Sequence, residues 1–210
     1  TSKTLVDCWV RELNEKSDTR FYRIDLFDEH SVRDISTQNP ALVLIPGGES
    51  IKIKDSISKV AHQIANVENH ASLYASCAGL IVGSTHYTEN EYTNKVTDWS
   101  QYSGLNFNSE IEIFAPYSVP VKHNRASLYN RTSIKLECVD PRWNKVKEYF
   151  SYYALGPGLL ITDKVKNSAD FDVIEYYQTG GRKQDRRGHF ASTVIHKLPL
   201  SKHLFTGVHP

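Results

Sequence analysis

Leu73-Tyr74-Ala75-Ser76-Cys77-Ala78-Gly79-Leu80-Ile81-Val82 decides the reading of this chain. An apolar run delivers a cysteine, small residues flank it, and helix-compatible sequence follows at once. That order predicts a strand, a sharp turn and a helix, with the reactive side chain at the turn: a nucleophile elbow. The turn strains the backbone of its central residue, and only Ser, Ala or Gly neighbours leave room for it. The helix N-terminus then points unpaired N–H groups and a partial positive charge at the sulfur, which favours thiolate. A small buried cysteine at an ordinary strand–helix junction would use the same residue types, so the surroundings decide.

Upstream, the chain alternates helix and strand. Ala41–Ile45 is a short, wholly apolar run ended by Pro46-Gly47-Gly48, which reads as a buried parallel strand and a turn. Asp55–Val67 carries Ile57, Val60, Ala61, Ile64 and Val67 at helical spacing. Thr4–Lys16 places Leu5, Cys8, Trp9 and Leu13 on one helical face, and Phe21–Phe27 alternates as a strand does. Strands alternating with helices imply crossovers and a parallel sheet covered on both faces. The expected fold is α/β, a flavodoxin-like doubly wound, mostly parallel sheet.

The second half is rich in β-favouring runs: Glu110–Phe114, Ser133–Val139, Glu148–Tyr153, Leu159–Ile161, Asp172–Tyr177, His189–Ile195 and His203–Val208. Asp140-Pro141, Gly156-Pro157-Gly158 and Gly180-Gly181 punctuate them. The polar stretch Thr88–Ser103 reads as a long surface loop. Gly180–Gly188 is basic and glycine-rich, but it joins two strands and reads as a solvated hairpin tip. The aromatic residues of Tyr149–Tyr153 and Tyr176-Tyr177 lack a basic patch and read as strand packing. One domain over 1–210 with a β-rich excursion fits this organisation.

Two more anchors carry chemistry. In a parallel sheet the turns at the carboxyl ends of strands line the ligand crevice. Gly47 and Gly48 stand in such a turn, where a backbone N–H, together with that of Ala78, can meet a developing oxyanion. His209 ends the run Leu204-Phe205-Thr206-Gly207-Val208, placing it at the strand edge expected for Cys77. A thiol nucleophile needs a base or cation within reach, and imidazole is the usual choice.

Ala41 through Gly48, then Ser76-Cys77-Ala78-Gly79, then Thr206-Gly207-Val208-His209-Pro210 resemble the class I glutamine amidotransferase-like superfamily. More narrowly, the chain is similar to the N-terminal domain of eukaryotic-type biotin protein ligases. Tyr152-Tyr153-Ala154-Leu155-Gly156-Pro157-Gly158 stands where that family has an aromatic-Asn-Gly-Gly segment, with Ala154 in place of the Asn. Ala75 replaces the first Gly of the superfamily's usual elbow. Ser76, Gly79, Tyr153 and Gly156 are the remaining pocket candidates. The resemblance implies an acid two residues after His209 and a strand before Thr1. Since the chain also contains no methionine, both ends are expected to be trimmed, with Glu after Pro210. Nothing here resembles a ligase catalytic domain, so biotinylation is not implied.

Composition narrows the classes further. Forty per cent of the 210 residues are hydrophobic, 23% are charged, and the formal net charge is +1. That balance offers no electrostatic footprint for nucleic acid or an anionic membrane. Cys8, Cys77 and Cys138 are odd in number and widely spaced, which argues against a disulfide framework and for a reducing, cytoplasmic setting. His62, His70, His86 and His123 show no metal-ligand spacing, so neither a metal nor a cofactor is expected. Two functions follow. One is a binding or regulatory module with a retained Cys77–His209 site. The other is a cysteine-dependent amidase in which Cys77 forms a thioester and His209 is the general base. Either would take a small-molecule or peptide carbonyl compound.

Overall fold

The computed structural model describes residues 11, 40–68, 70–90, 95–114, 132–143, 146–153, 156–178, 184–185 and 188–208. The strand expected at Phe21–Phe27, the helix expected at Thr4–Lys16 (Arg11 apart), Cys8, His123, Ala154, Leu155 and His209 lie outside them.

The elbow strand organises the sheet. β1 (Leu42–Ile45) and β2 (Ser72–Ser76) run parallel, with Ile45 level with Ala75. β12 (Lys202–Thr206) lies parallel on the other side of β2, with Thr206 level with Ser76. A strand paired on both sides and covered on both faces must be apolar or small throughout; Leu73, Ala75 and Ser76 are all buried. Between β1 and β2 come α1 (Ser50–Ser58) and α2 (Ala61–Glu68). The single helix expected over Asp55–Val67 is thus two. Ser56 and Ser58 hydroxyls donate to the carbonyls of Lys52 and Asp55, a local bonding that competes with helix continuation. The chain turns at Lys59–Val60, yet Ile57, Val60, Ala61, Ile64 and Val67 all stay buried.

Beyond β12 the pairing changes. β8 (Gly158–Thr162), β9 (Phe171–Gln178) and β11 (Gly188–Lys197) are joined antiparallel, with β11 the shared partner of β8, β9 and β12. The hairpin expected near Gly180–Gly188 closes through β10 (Gln184–Asp185), which pairs with β11. β6 (Thr132–Cys138) adds to β9, and β7 (Glu148–Tyr153) adds to β6. β5 (Glu112–Phe114) extends the sheet from β8.

Thr88–Ser103 is not the loop its polarity predicted. It holds most of β3 (Tyr87–Asn90), β4 (Lys95–Thr97) and α4 (Ser100–Ser103). Asp98 accepts from the Ser100 N–H, and Trp99 sets its ring edge-on to Tyr87 at 6.2 Å. A local Asp98 turn and one aromatic contact outweigh the polar composition.

Among the described residues the result is one 12-stranded mixed sheet curled into a half-barrel, an α/β architecture. Only β1–β2, β2–β12 and β3–β5 pair in parallel there. The mostly parallel sheet expected from sequence is therefore found only in part: parallel pairing is limited to the elbow core and β3–β5, and the other described strand pairs, consecutive and non-consecutive alike, are antiparallel. A second apolar cluster, separate from the main core, includes Leu136, Tyr153, Leu160, Tyr177, Phe190 and Val208. No helix among the described residues is long and apolar enough to cross a membrane.

Candidate functional site

β2 ends at Ser76 and α3 (Ala78–Val82) begins one residue later. Cys77 makes the turn at φ 49°, ψ −117°, and among the described residues it alone is a non-glycine with positive φ. A side chain in that region costs about 1–3 kcal/mol, which the surroundings must hold in place. They do so from three sides. The Cys77 N–H donates to Thr206 O at 2.8 Å. The Leu80 N–H donates to Cys77 O at 3.1 Å. Gly79 presses α3 against the end of β1, where a Cβ would lie 2.3 Å from Ile45 O and 2.7 Å from Pro46 O. Any larger residue would lift the helix off.

That approach brings the Pro46-Gly47-Gly48 turn to the sulfur. The N–H groups of Ala78 and Gly48 both hydrogen-bond Cys77 Sγ. The Gly47 N–H instead donates to Ser76 Oγ at 3.1 Å, so Ser76 ties the turn to β2. Gly48 and Ala78 are left as the pair of donors. Burial nevertheless dominates the thiol's chemistry. It pushes Cys77 up to about 11, against the opposing pull of the Ala78 and Gly48 N–H groups. The thiolate expected from the helix terminus is not favoured by these surroundings, since α3 has only 5 residues and its partial charge is outweighed by lost hydration.

Tyr153 and Gly156 come to the same place. Tyr153 is fully buried, its hydroxyl donates to Gly156 O at 2.8 Å, and its ring stands edge-on to Tyr177 at 6.0 Å. Burial holds Tyr153 well above the ordinary phenol range, and the nearby Cys77 adds to the shift. Tyr177 donates to Pro157 O at 3.0 Å. Gly156 backs directly onto Gly207, where a Cβ would fall 1.4 Å from Gly207 O. The two glycines let β12's exit and the turn before β8 touch backbone to backbone.

Thr206 stands level with Ser76, so β12 leaves the sheet at the edge where Cys77 turns. Gly207 is tied by its N–H to Ser192 O at 2.7 Å, and Val208 is buried. His209 follows in sequence. The sequence gives no role to the hydroxyls of Thr193 and Thr206, Thr206 entering only within the closing motif, and Tyr177 was legible only as strand packing. Among the described residues no cluster of three or more His, Cys, Asp or Glu could hold a metal. Compared with known proteins, the chain matches no family model and no curated protein.

Proposed function

We propose that this chain is a carbonyl-binding module of the glutamine amidotransferase-like kind, resembling the N-terminal domain of eukaryotic-type biotin protein ligases. Cys77 and His209 form its recognition site. What supports the proposal is the elbow itself, Cys77 at positive φ with Gly79 packed against the Ile45 and Pro46 carbonyls, together with backbone hydrogen bonding from Ala78 and Gly48 at a thiol that burial pushes up. Two preorganised N–H donors beside the sulfur suit a carbonyl or carboxylate oxygen that takes them over from Cys77 when a ligand is seated against it. A protonated thiol there is a weak nucleophile, which favours binding over turnover. β1, β2 and β12 serve as the parallel core of a flavodoxin-like doubly wound unit, with the crevice at their carboxyl ends. Cys77 and Cys138, which form no disulfide among the described residues, suit a reducing, cytoplasmic setting.

One observation favours the hydrolytic alternative: the positive φ at Cys77, strain of the kind that clusters at reacting residues. In that reading His209 takes the Cys77 proton as Sγ attacks a carboxamide carbon. Gly48 and Ala78 hold the oxyanion, ammonia leaves with the proton returned by His209, and water then cleaves the thioester.

The test uses ¹⁵N-labelled protein titrated with glutamine, asparagine and a C-terminally amidated tripeptide, with ammonia assayed in parallel. The proposal expects resonance shifts at Gly48 and Ala78 without ammonia release. Ammonia release that is lost in Cys77→Ser would establish the hydrolase instead. Neither shifts nor ammonia would dismiss both readings.

A further inference from the structure

Three side chains and one backbone N–H form a hydrogen-bonded line that runs from the middle of the β-rich half to the end of β12. The Glu175 carboxylate on β9 accepts from Thr193 Oγ1 at 2.8 Å and from Ser192 Oγ at 3.1 Å. Tyr149 donates to its other oxygen. Thr193 Oγ1 lies 3.1 Å from Thr206 Oγ1, across the β11–β12 pair in which those residues are directly opposed. Thr206 Oγ1 in turn accepts from the Val208 N–H at 3.3 Å.

A hydroxyl has one proton to donate. Thr193 gives its proton to Glu175, so the Thr193–Thr206 bond has a single polarity: Thr206 donates and Thr193 accepts. The Thr206 oxygen then turns its lone pairs toward the Val208 N–H. The order is Val208 to Thr206 to Thr193 to Glu175, each group donating toward the carboxylate. Thr193 and Thr206 are buried, and in such surroundings a chain of hydrogen bonds ending on a charge is reinforced along its length. Thr206 has a second attachment, since its carbonyl takes the N–H of Cys77. One residue therefore joins the strained elbow, the chain segment before His209, and the carboxylate.

We propose that Glu175 is a positioning residue, acting through Thr193 and Thr206 to fix the backbone of Gly207–Val208 relative to Cys77. This rests on the reading of Cys77 and His209 as one site, but its test does not. Amide hydrogen exchange is measured for wild type, Thr193→Val, Thr193→Ser and Glu175→Met. Thr193→Val keeps the shape and removes the relay hydroxyl; Thr193→Ser restores it. Exchange at Val208 should rise at least tenfold in Thr193→Val and Glu175→Met, while Phe205, in the β12 ladder, stays within twofold of wild type. Thr193→Ser should return Val208 to the wild-type rate. An unchanged Val208 rate in Thr193→Val overturns the proposal, and so does a common rise across all of β12. Loss of the binding reading would appear separately, as absent ligand shifts in wild-type protein with the Val208 pattern intact.

Discussion

Replacing Cys77 by Gly and by Ala separates the strain of the elbow from the contacts of its side chain. Both variants lose the sulfur. Ala keeps a Cβ at φ 49°; Gly relieves it, because the mirror-extended region is open to a residue without Cβ. At an unstrained buried position Ala would be the more stable. It retains a buried methyl group, about 0.8 kcal/mol, and it orders fewer unfolded conformations, about 0.4–1 kcal/mol. Ala would then lead by about 1.5 kcal/mol. Strain near the middle of its range, about 2 kcal/mol, reverses the order and leaves Gly ahead by about 0.5 kcal/mol. Thermal melts of the two variants side by side read this directly, since 1 kcal/mol is about 2–4 °C at this chain length. Gly melting at or above Ala is the expected result. Ala ahead by about 3 °C or more would refute the strained elbow.

Three further outcomes follow from the same geometry. Gly79→Ala sets a methyl group against the Ile45 and Pro46 carbonyls, which are backbone and cannot swing aside; urea titration should show about 1–3 kcal/mol lost, with the Ala78 amide resonance displaced. Tyr177→Phe removes the donor to Pro157 O and should cost about 1–2 kcal/mol by the same titration. The third concerns alkaline pH. The folded Cys77 thiol titrates near about 11, whereas an unfolded cysteine titrates near about 8.5. Below about 8.5 both forms hold the proton and stability is flat in pH. Between the two values the unfolded chain binds fewer protons, so stability falls as pH rises, by up to about 1.4 kcal/mol per pH unit. Wild type should lose stability relative to Cys77→Ala across that window, in urea titrations at pH 8 and pH 10.

The elbow core was legible in the sequence because its constraints are local. A strand flanked by parallel partners shows as an unbroken apolar run, and a tight strand-to-helix turn shows as small residues around one cysteine. Ala41–Ile45 and Ser72–Ser76 are of that kind. The second half gave its strands nearly residue for residue, but not their partners, since a β run such as Phe171–Gln178 does not say that it will meet both β6 and β11. β3 and β4 were hidden by polar side chains, and α1 and α2 looked continuous because the apolar spacing survives the break. The protonation of Cys77 was the least legible feature. The flanking residues predict N–H donors and a favoured thiolate, while the burial that pushes the thiol up is set by the tertiary packing, which a local motif does not carry.

The most direct test of a buried, protonated thiol beneath two N–H donors is the pH dependence of iodoacetamide labelling at Cys77. The labelled peptide is quantified by mass spectrometry, so that Cys8 and Cys138 do not contribute. At pH 7 a thiol near about 11 holds roughly 300-fold less thiolate than one near about 8.5, and higher intrinsic nucleophilicity recovers about tenfold of that. The account predicts labelling at least tenfold slower than a free peptide thiol at pH 7, still rising beyond pH 10. Labelling faster than the peptide thiol, with a midpoint below pH 7, would contradict it.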